Sequence, residues 1–441
     1  MSRNRVRRLP RPTVAGMKVP TRLTPPWRSP LRGPWLTSVF AVVLLIGIPI
    51  LFLTGLVSYL AYNPDLSPVN DKTPEKGLLG FYLFAWPTDP YWLYRVTQGV
   101  HVTLGIVLVP VLLAKLWSVA PKLFVMPPVR SPGHALDRLS LLFLVGGGLF
   151  EFATGVLNVQ LEYIFPGSFY PLHFYGAWVF IGAFVAHAAL RLPRTVRALR
   201  GRDLRAELRT PVARTVPEPL DETGLVSRDP APPTLSRRGA LGMVGLGSLA
   251  LLVVTAGQSI GGSLRGTALL APHGREPGSG PNGFQINKGV TAVGIRARDI
   301  GPGWRLTVRG GGRETVLTRA ELERLPRHVS ALPIACVEGW STSDQHWEGV
   351  RLTDLGALVG MGDAPPSVFV ESVQSHGSFR SVALRDNQVR DPRSLLALRV
   401  NGAELSADHG YPARIIVPGA PGVMNTKWVR RLSFGESSWP V

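Results

Sequence analysis

A single cysteine stands in 441 residues, which excludes an internal disulfide framework and any zinc site built from several thiolates. Charge is scarce as well. Charged residues make up 17 % of the chain against 45 % hydrophobic ones, a balance that excludes a chain that is mainly disordered. Acidic side chains number 29 and basic ones 48, a formal net charge of +19. Such an excess fits a nucleic-acid binder, a protein of anionic surfaces, or a membrane protein whose basic residues gather on one side. Their distribution decides.

No charged residue lies between Arg32 and Asp65, and residues 35–62 inside that gap are dominated by Val, Leu, Ile and Phe. At about 1.5 Å per residue this stretch crosses a hydrocarbon core of roughly 30 Å. Four more charge-poor apolar segments follow at 96–114, 139–161, 172–190 and 240–257. Buried helices of a soluble protein rarely come five together at this length, so the pattern predicts five membrane spans. Basic residues alternate from loop to loop. Residues 1–34 carry nine and no acid, Lys115, Lys122, Arg130 and Arg138 surround the next inner loop, and 191–238 hold eleven Arg. The loops at 63–95 and 162–171 hold three and none. A cytoplasmic N-terminus follows, with 35–200 as a four-helix membrane domain, 201–238 as a Pro-rich solvated inner linker, and 239–258 as a fifth span. Everything beyond is expected outside the plasma membrane. The charge excess then reads as topology, with the bilayer as partner and nucleic acid excluded.

The fifth span opens with Ser236-Arg237-Arg238-Gly239-Ala240-Leu241, which resembles a twin-arginine export signal placed internally, with Ala240 where a large apolar residue is usual. A plain positive-inside anchor is the alternative. A true signal implies an outer domain folded around its cofactor before export.

Ionisable or metal-binding side chains inside spans are costly and mark function. His101, His134, His173 and His187 lie in this half. His173 and His187 are separated along one helix by about 21 Å and about 40° of rotation, so they face one side at two depths. His101 is level with His173 near the outer end. His134 follows Ser131-Pro132 and precedes Arg138 by one helical turn, as His187 precedes Arg191. The pairs are His101 with His173 outside and His134 with His187 inside, against packing roles for each and an interfacial one for His134. Two imidazoles facing across a bundle ligate haem iron from both axial sides. With this arrangement, residues 35–200 resemble the di-haem cytochrome b subunits of respiratory enzymes. The resemblance implies two b-type haems, the inner one departing from the family pattern because the first span has no histidine. Glu151, the one acid well inside a span, reads as a quinone or proton site or as an interhelical hydrogen bond.

After a Gly/Ser/Pro-rich connector at 259–282 the pattern changes to short alternating runs. Residues 304–309, 367–372, 395–400 and 414–417 read as strands, and 319–325 and 352–359 as short helices. The fold class is thus multi-domain: an all-α transmembrane bundle followed by a β-rich α+β domain at 283–441. A lone cysteine is commonly a buried small hydrophobe. Cys336 has company. WRLTVRG (304–310), LTRAEL (317–322), CVEGWS (336–341), WEGVRL (347–352), LLALRVNG (395–402), HGYPARIIVPG (409–419) and TKWVRRL (426–432) resemble, in that order, the sulfite oxidase family of molybdopterin proteins.

The resemblance implies that the Cys336 thiolate binds molybdenum, with Arg414 and Lys427 on the pterin phosphate and Asn287, Lys288 and His409 as further pterin contacts. His376, in HGSF, is read as a pocket residue or as a loop histidine. Sulfite oxidases place arginine shortly after the cysteine. Here Val337, Glu338, Gly339 and Trp340 follow, which disfavours sulfite and is closer to the periplasmic methionine sulfoxide reductase type. The expected protein is a membrane-anchored oxidoreductase carrying molybdopterin and b-type haem, passing electrons between a quinone or other membrane donor and a small, methionine sulfoxide-like substrate. Oxo-transfer reduction is preferred; the reverse dehydrogenase, or a haem conduit with a non-catalytic binding domain, is the alternative.

Overall fold

A computed structural model describes residues 27–124, 131–159, 169–220, 224–271, 273, 278–362, 364–377 and 379–435. Its N-terminal half is helical: α1 (Pro34–Leu60), α2 (Leu93–Leu123), α3 (Pro132–Asn158), α4 (Tyr170–Arg200), the short α5 (Leu204–Arg209) and α6 (Arg237–Ile260). All but α5 are long and apolar enough to cross a membrane. The third expected span closes earlier than its apolar run suggests, because α3 ends at Asn158; residues 160–168 lie outside the described ones. Helix α1 packs on α2 and α4, α3 on α4, and α6 on α2. Leu36, Phe40, Leu44, Ile48, Leu108, Leu112 and Phe180 fill the space between them.

Most of the linker is exposed, as expected of a solvated segment, but it is anchored at a few points. Glu218 accepts the backbone N–H of Trp35 at 3.0 Å, which satisfies one of the free donors at the start of α1. Arg237 is 1 % exposed; it lies 3.2 Å from Glu207 on α5 and donates to the Val216 carbonyl at 3.0 Å. Opposite charges meeting at helix ends fold this segment back on the bundle. Ser236 caps α6 by accepting the Gly239 N–H at 3.1 Å.

Among the described residues the C-terminal half has ten strands and three short α-helices: β1 (Arg305–Gly310), β2 (Arg313–Thr318), α7 (Arg319–Arg324), β3 (His328–Leu332), β4 (Gln345–Arg351), α8 (Leu352–Ala357), β5 (Val368–Ser372), β6 (Ser381–Leu384), α9 (Asp386–Arg390), β7 (Leu395–Val400), β8 (Ala403–Glu404), β9 (Arg414–Ile416) and β10 (Val429–Phe434). One sheet has the order β2-β1-β10-β5-β6, with β1 and β10 parallel; the other runs β3-β4-β7-β8, with β9 on β7. Alternation in β1 buries Leu306 and Val308 on one face. Strand β7 lies between partners and is apolar almost throughout, as a doubly covered strand must be.

The two halves share a core. Leu60, Tyr62, Trp86 and Tyr94 of the helical half pack in one cluster with Val350, Leu396 and Val417 of the sheets. Trp86 is fully buried and donates its indole N–H to the Gly419 carbonyl at 2.8 Å. Burial of such a side chain contributes about 2–3 kcal/mol. Asn63 donates to Gln388 at 2.8 Å and Asn70 to the Ala383 carbonyl at 2.8 Å, so the loop between α1 and α2 is a tether.

Candidate functional site

A cavity of about 750 Å³ runs from between α1, α2, α3 and α4 into the sheet-rich half. Its helical end is lined by His101, Glu151 and His173, its other end by Cys336, Arg414 and Lys427. This volume falls within the range of cofactor sites, roughly 300–1,000 Å³.

At the helical end the rings of His101 and His173 have centres 6.1 Å apart and planes at 86°. Two metal–imidazole bonds of about 2 Å, with each ring centre about 1 Å beyond its nitrogen, give a similar separation. The protons of both rings are placed by their neighbours. His101 Nδ1 is 2.9 Å from the Leu51 carbonyl, which can only accept, and 3.2 Å from the Thr54 hydroxyl, itself donating to Ile50 O at 2.7 Å. His173 Nδ1 is 3.1 Å from the Thr154 hydroxyl, which donates to Phe150 O at 2.8 Å, and 3.2 Å from the Glu151 carboxylate. Both Nδ1 atoms therefore carry hydrogen and both Nε2 atoms keep a lone pair, the tautomer that ligates a metal. Glu151 thus makes the interhelical contact anticipated as one of its two readings. Gly55 and Gly155 each lie against a histidine Cε1, where a Cβ would stand 3.0 and 3.3 Å away.

At the other end the chain after β3 forms a tight loop, with Cys336 N–H on Trp340 O at 2.8 Å and Gly339 N–H on Cys336 O at 3.1 Å. Cys336 is 2 % exposed, and burial, with Glu338 next to it, pushes its thiol well above the usual range. A buried thiol of this kind ionises when a metal takes the sulfur. Glu338 is 1 % exposed, accepts the Trp340 indole N–H at 2.7 Å and lies 2.7 Å from His273 Nδ1.

The cationic side chains converge from separate elements. Arg414 opens β9, is 4 % exposed, and donates to the carbonyls of His409 at 3.0 Å and Asn425 at 3.2 Å. Its Nε has no partner among the described residues, and burial lowers its pKa to about 9. Lys427 donates to the backbone carbonyls of Asp408, at 2.9 Å, and Lys288. Burial and then Arg414 hold its ammonium well below the ordinary lysine range. A buried guanidinium beside a half-buried ammonium favours an anion between them.

A family model described as the oxidoreductase molybdopterin binding domain matches residues 294–440. The uncharacterised oxidoreductase YuiH of Bacillus subtilis is 30 % identical over 138 residues, covering 31 % of this chain and 68 % of that protein. The chain belongs to the molybdopterin-binding oxidoreductases. Its C-terminal part is a sulfite oxidase-type molybdopterin-binding oxidoreductase domain. Mouse mitochondrial sulfite oxidase is 31 % identical over 156 residues, 30 % of this chain and 29 % of the mouse protein, so the chain spans under a third of that relative's length. Among solved structures, the sulfane dehydrogenase SoxCD of Paracoccus pantotrophus is 28 % identical, covering 30 % of this chain and 38 % of its own, with a TM-score of 0.27.

In this molybdopterin-binding oxidoreductase Cys336, Asn287, Lys288, His409, Arg414 and Lys427 all line the cavity. Cys336, the orphaned Arg414 Nε and the adjacent Lys427 fit a thiolate-bound metal with a phosphate-bearing ligand. His409 has both nitrogens engaged, Nε2–H donating to Phe284 O at 3.1 Å and Nδ1 accepting from Ser406 at 2.8 Å, so it offers a ring surface and not a donor. His376 is exposed, with Nδ1 on Ser375 Oγ at 2.9 Å and its ring against Gly294, outside the cavity. Gln374 and Gly377 of the same loop line the cavity instead. The side chain of His134 lies outside the described residues, and His187 is half-buried on α4. Thr54, Thr154 and Gln98 went unread in the sequence. The two threonines share a signal, the repeat Phe52-Leu53-Thr54-Gly55 against Phe152-Ala153-Thr154-Gly155, whereas Gln98 has none.

Proposed function

We propose that this chain is a membrane-anchored reductase that carries b-type haem between its helices and delivers electrons to an extracytoplasmic molybdenum site. The observation that carries the reading is that His101 and His173, both protonated at Nδ1, line the same cavity as Cys336. The five helices would sit in the bilayer with the N-terminus in the cytoplasm and residues 283–441 outside, and a membrane quinol would be the donor. His134 and His187 would hold a second, inner haem.

Cys336 would supply the protein thiolate to molybdenum, while Arg414 and Lys427 would bind the pterin phosphate. Asn287 and Lys288, on the same wall, would face the pterin. When bound, the molybdenum cofactor supplies two-electron exchange of an oxygen atom with substrate, and haem supplies one-electron relay. Thr54, Thr154 and Glu151 orient the two imidazoles and fix their tautomers. The sulfite pattern places arginine shortly after the cysteine, whereas Val337, Glu338, Gly339 and Trp340 follow here and supply no cation to draw an anion. A neutral oxo-bearing substrate of the sulfoxide class fits better than sulfite.

The test is analysis of the purified protein for molybdenum and haem b. Wild type is expected to hold both, Cys336→Ser to lose the normal molybdenum signature, and His101→Ala or His173→Ala to lose outer haem. Absence of molybdenum or of haem in wild type overturns the reading. A topology reporter after Val441 is expected outside; a cytoplasmic signal overturns the orientation. Reoxidation of dithionite-reduced haem by methionine sulfoxide, against reduction of oxidised haem by sulfite, fixes direction.

A further inference from the structure

On helix α2, Tyr94, Gln98, His101 and Val102 recur at one-turn intervals and so share a face. That face meets the loop of Cys336. Gln98 Nε2 donates to the Val337 carbonyl, one residue from the cysteine. Val102, beside His101, touches Gly339: a Cβ at Gly339, whose φ is +88°, would lie 2.7 Å from the Val102 Cβ. From the other side, Ser259 at the end of α6 donates to the Gly339 carbonyl and Arg265 donates to that of Ser341. Ser341 returns two bonds, its N–H to Gln258 O at 2.9 Å and its hydroxyl to Ser259 O at 2.8 Å. Carbonyls 337, 339 and 341 are thus each held from the helical half. Such a loop does not swing.

We infer that Gln98 is a positioning residue for electron transfer, fixing the Cys336 loop on the helix that carries His101 so that electrons pass within one chain without a diffusible carrier. This rests on the haem and molybdenum reading above. Gln98 and Val337 both line the cavity between its two ends, and Gln98 is one turn from His101. With both groups bound, haem would supply one electron and the molybdenum centre would accept it, the first being oxidised and the second reduced by one electron each. No other bond is made or broken. The hydrogen bond holds the donor and acceptor ends of the chain at a set spacing, on which such a rate depends steeply.

The experiment needs no substrate. A flavin dye photoreduces haem in the full-length protein in detergent, and the decay of reduced-haem absorbance is followed with the rise of the molybdenum paramagnetic signal. Gln98→Leu and Gln98→Met, both of which lack the donor and carry no charge, are expected to keep wild-type haem content, haem potential and molybdenum content while the inter-centre rate falls by roughly tenfold. A merely structural residue would move content or potential instead. Should the Gln98 variants lose haem, Ser259→Ala, which frees the Gly339 carbonyl, is expected to slow the same step. Unchanged transfer in Gln98→Leu, or in Ser259→Ala where the Gln98 variants lose haem, overturns the inference. Wild type without haem or without molybdenum sinks the underlying reading, and this one with it.

Discussion

The hydroxyls of Thr54 and Thr154 are placed alike: each accepts from Nδ1 of a histidine on the following helix, at 3.2 and 3.1 Å, and each donates to a carbonyl one turn back on its own helix. The helix pairs α1–α2 and α3–α4 therefore present equivalent imidazole holders to one cavity. Replacing either threonine by valine keeps volume and removes the acceptor. Haem affinity is expected to fall by about 10–100-fold in each variant. The haem-to-protein ratio on serial dilution measures this, and full retention in both variants would show that the threonines do not hold ligands.

Arg414→Met and Cys336→Ser should separate pterin binding from metal binding. The first removes a buried cation from the anion site, so pterin and molybdenum are expected to be lost together. The second leaves Arg414 and Lys427 in place and is expected to retain pterin. Fluorescence of the oxidised pterin beside metal analysis reads both. Retention of full pterin in Arg414→Met would place its phosphate elsewhere.

Much of the layout was legible because it rests on long-range composition. Helices α2, α4 and α6 enclose the expected apolar segments, α1 and α3 overlap theirs, and β1, β5, β7 and β9 fall where alternation or apolar runs place strands. Strands β2, β3, β4, β6, β8 and β10 were missed. Charged side chains such as Glu314 in β2 and Arg430 in β10 stand on exposed positions, which dilutes a hydrophobic signal without hindering a strand. At the site, Cys336, Arg414 and Lys427 came from motif likeness, and His101 and His173 from their rarity in apolar helices. The contacts between halves had no signature. A Gln98 that holds a carbonyl more than two hundred residues away, or a His376 turned outward by its own loop, depends on tertiary placement alone.

Acidification should weaken the sheet-rich half through His409. Burial and then Arg414 lower its pKa to about 4, so the folded state stays neutral while the unfolded chain takes a proton near 6.5. Its contribution is complete above about pH 6.5 and is lost as pH falls toward 4, a total of about 3 kcal/mol. Melting of the protein in detergent, followed by tryptophan fluorescence, should show a drop across that window that shrinks in His409→Asn. An equal drop in the variant would assign it to other groups.

The linker contacts make an asymmetric prediction. Glu207→Gln leaves Arg237 buried without its carboxylate and is expected to cost about 3–5 kcal/mol. Arg237→Met leaves Glu207 paired with Arg202 and should cost less. Limited trypsin digestion at Arg209 and Arg214 reports loosening of the segment. Faster cleavage in Arg237→Met than in Glu207→Gln would reverse the order.

The contact of Gly339 with Val102 also bears on ancestry. A side chain at 339 requires a smaller one at 102, and a larger one at 102 displaces the loop that presents the cysteine. The two halves cannot then drift independently or exchange partners freely: in an alignment of full-length relatives the two positions should change together, although one belongs to the helical half and the other to the sheet-rich half.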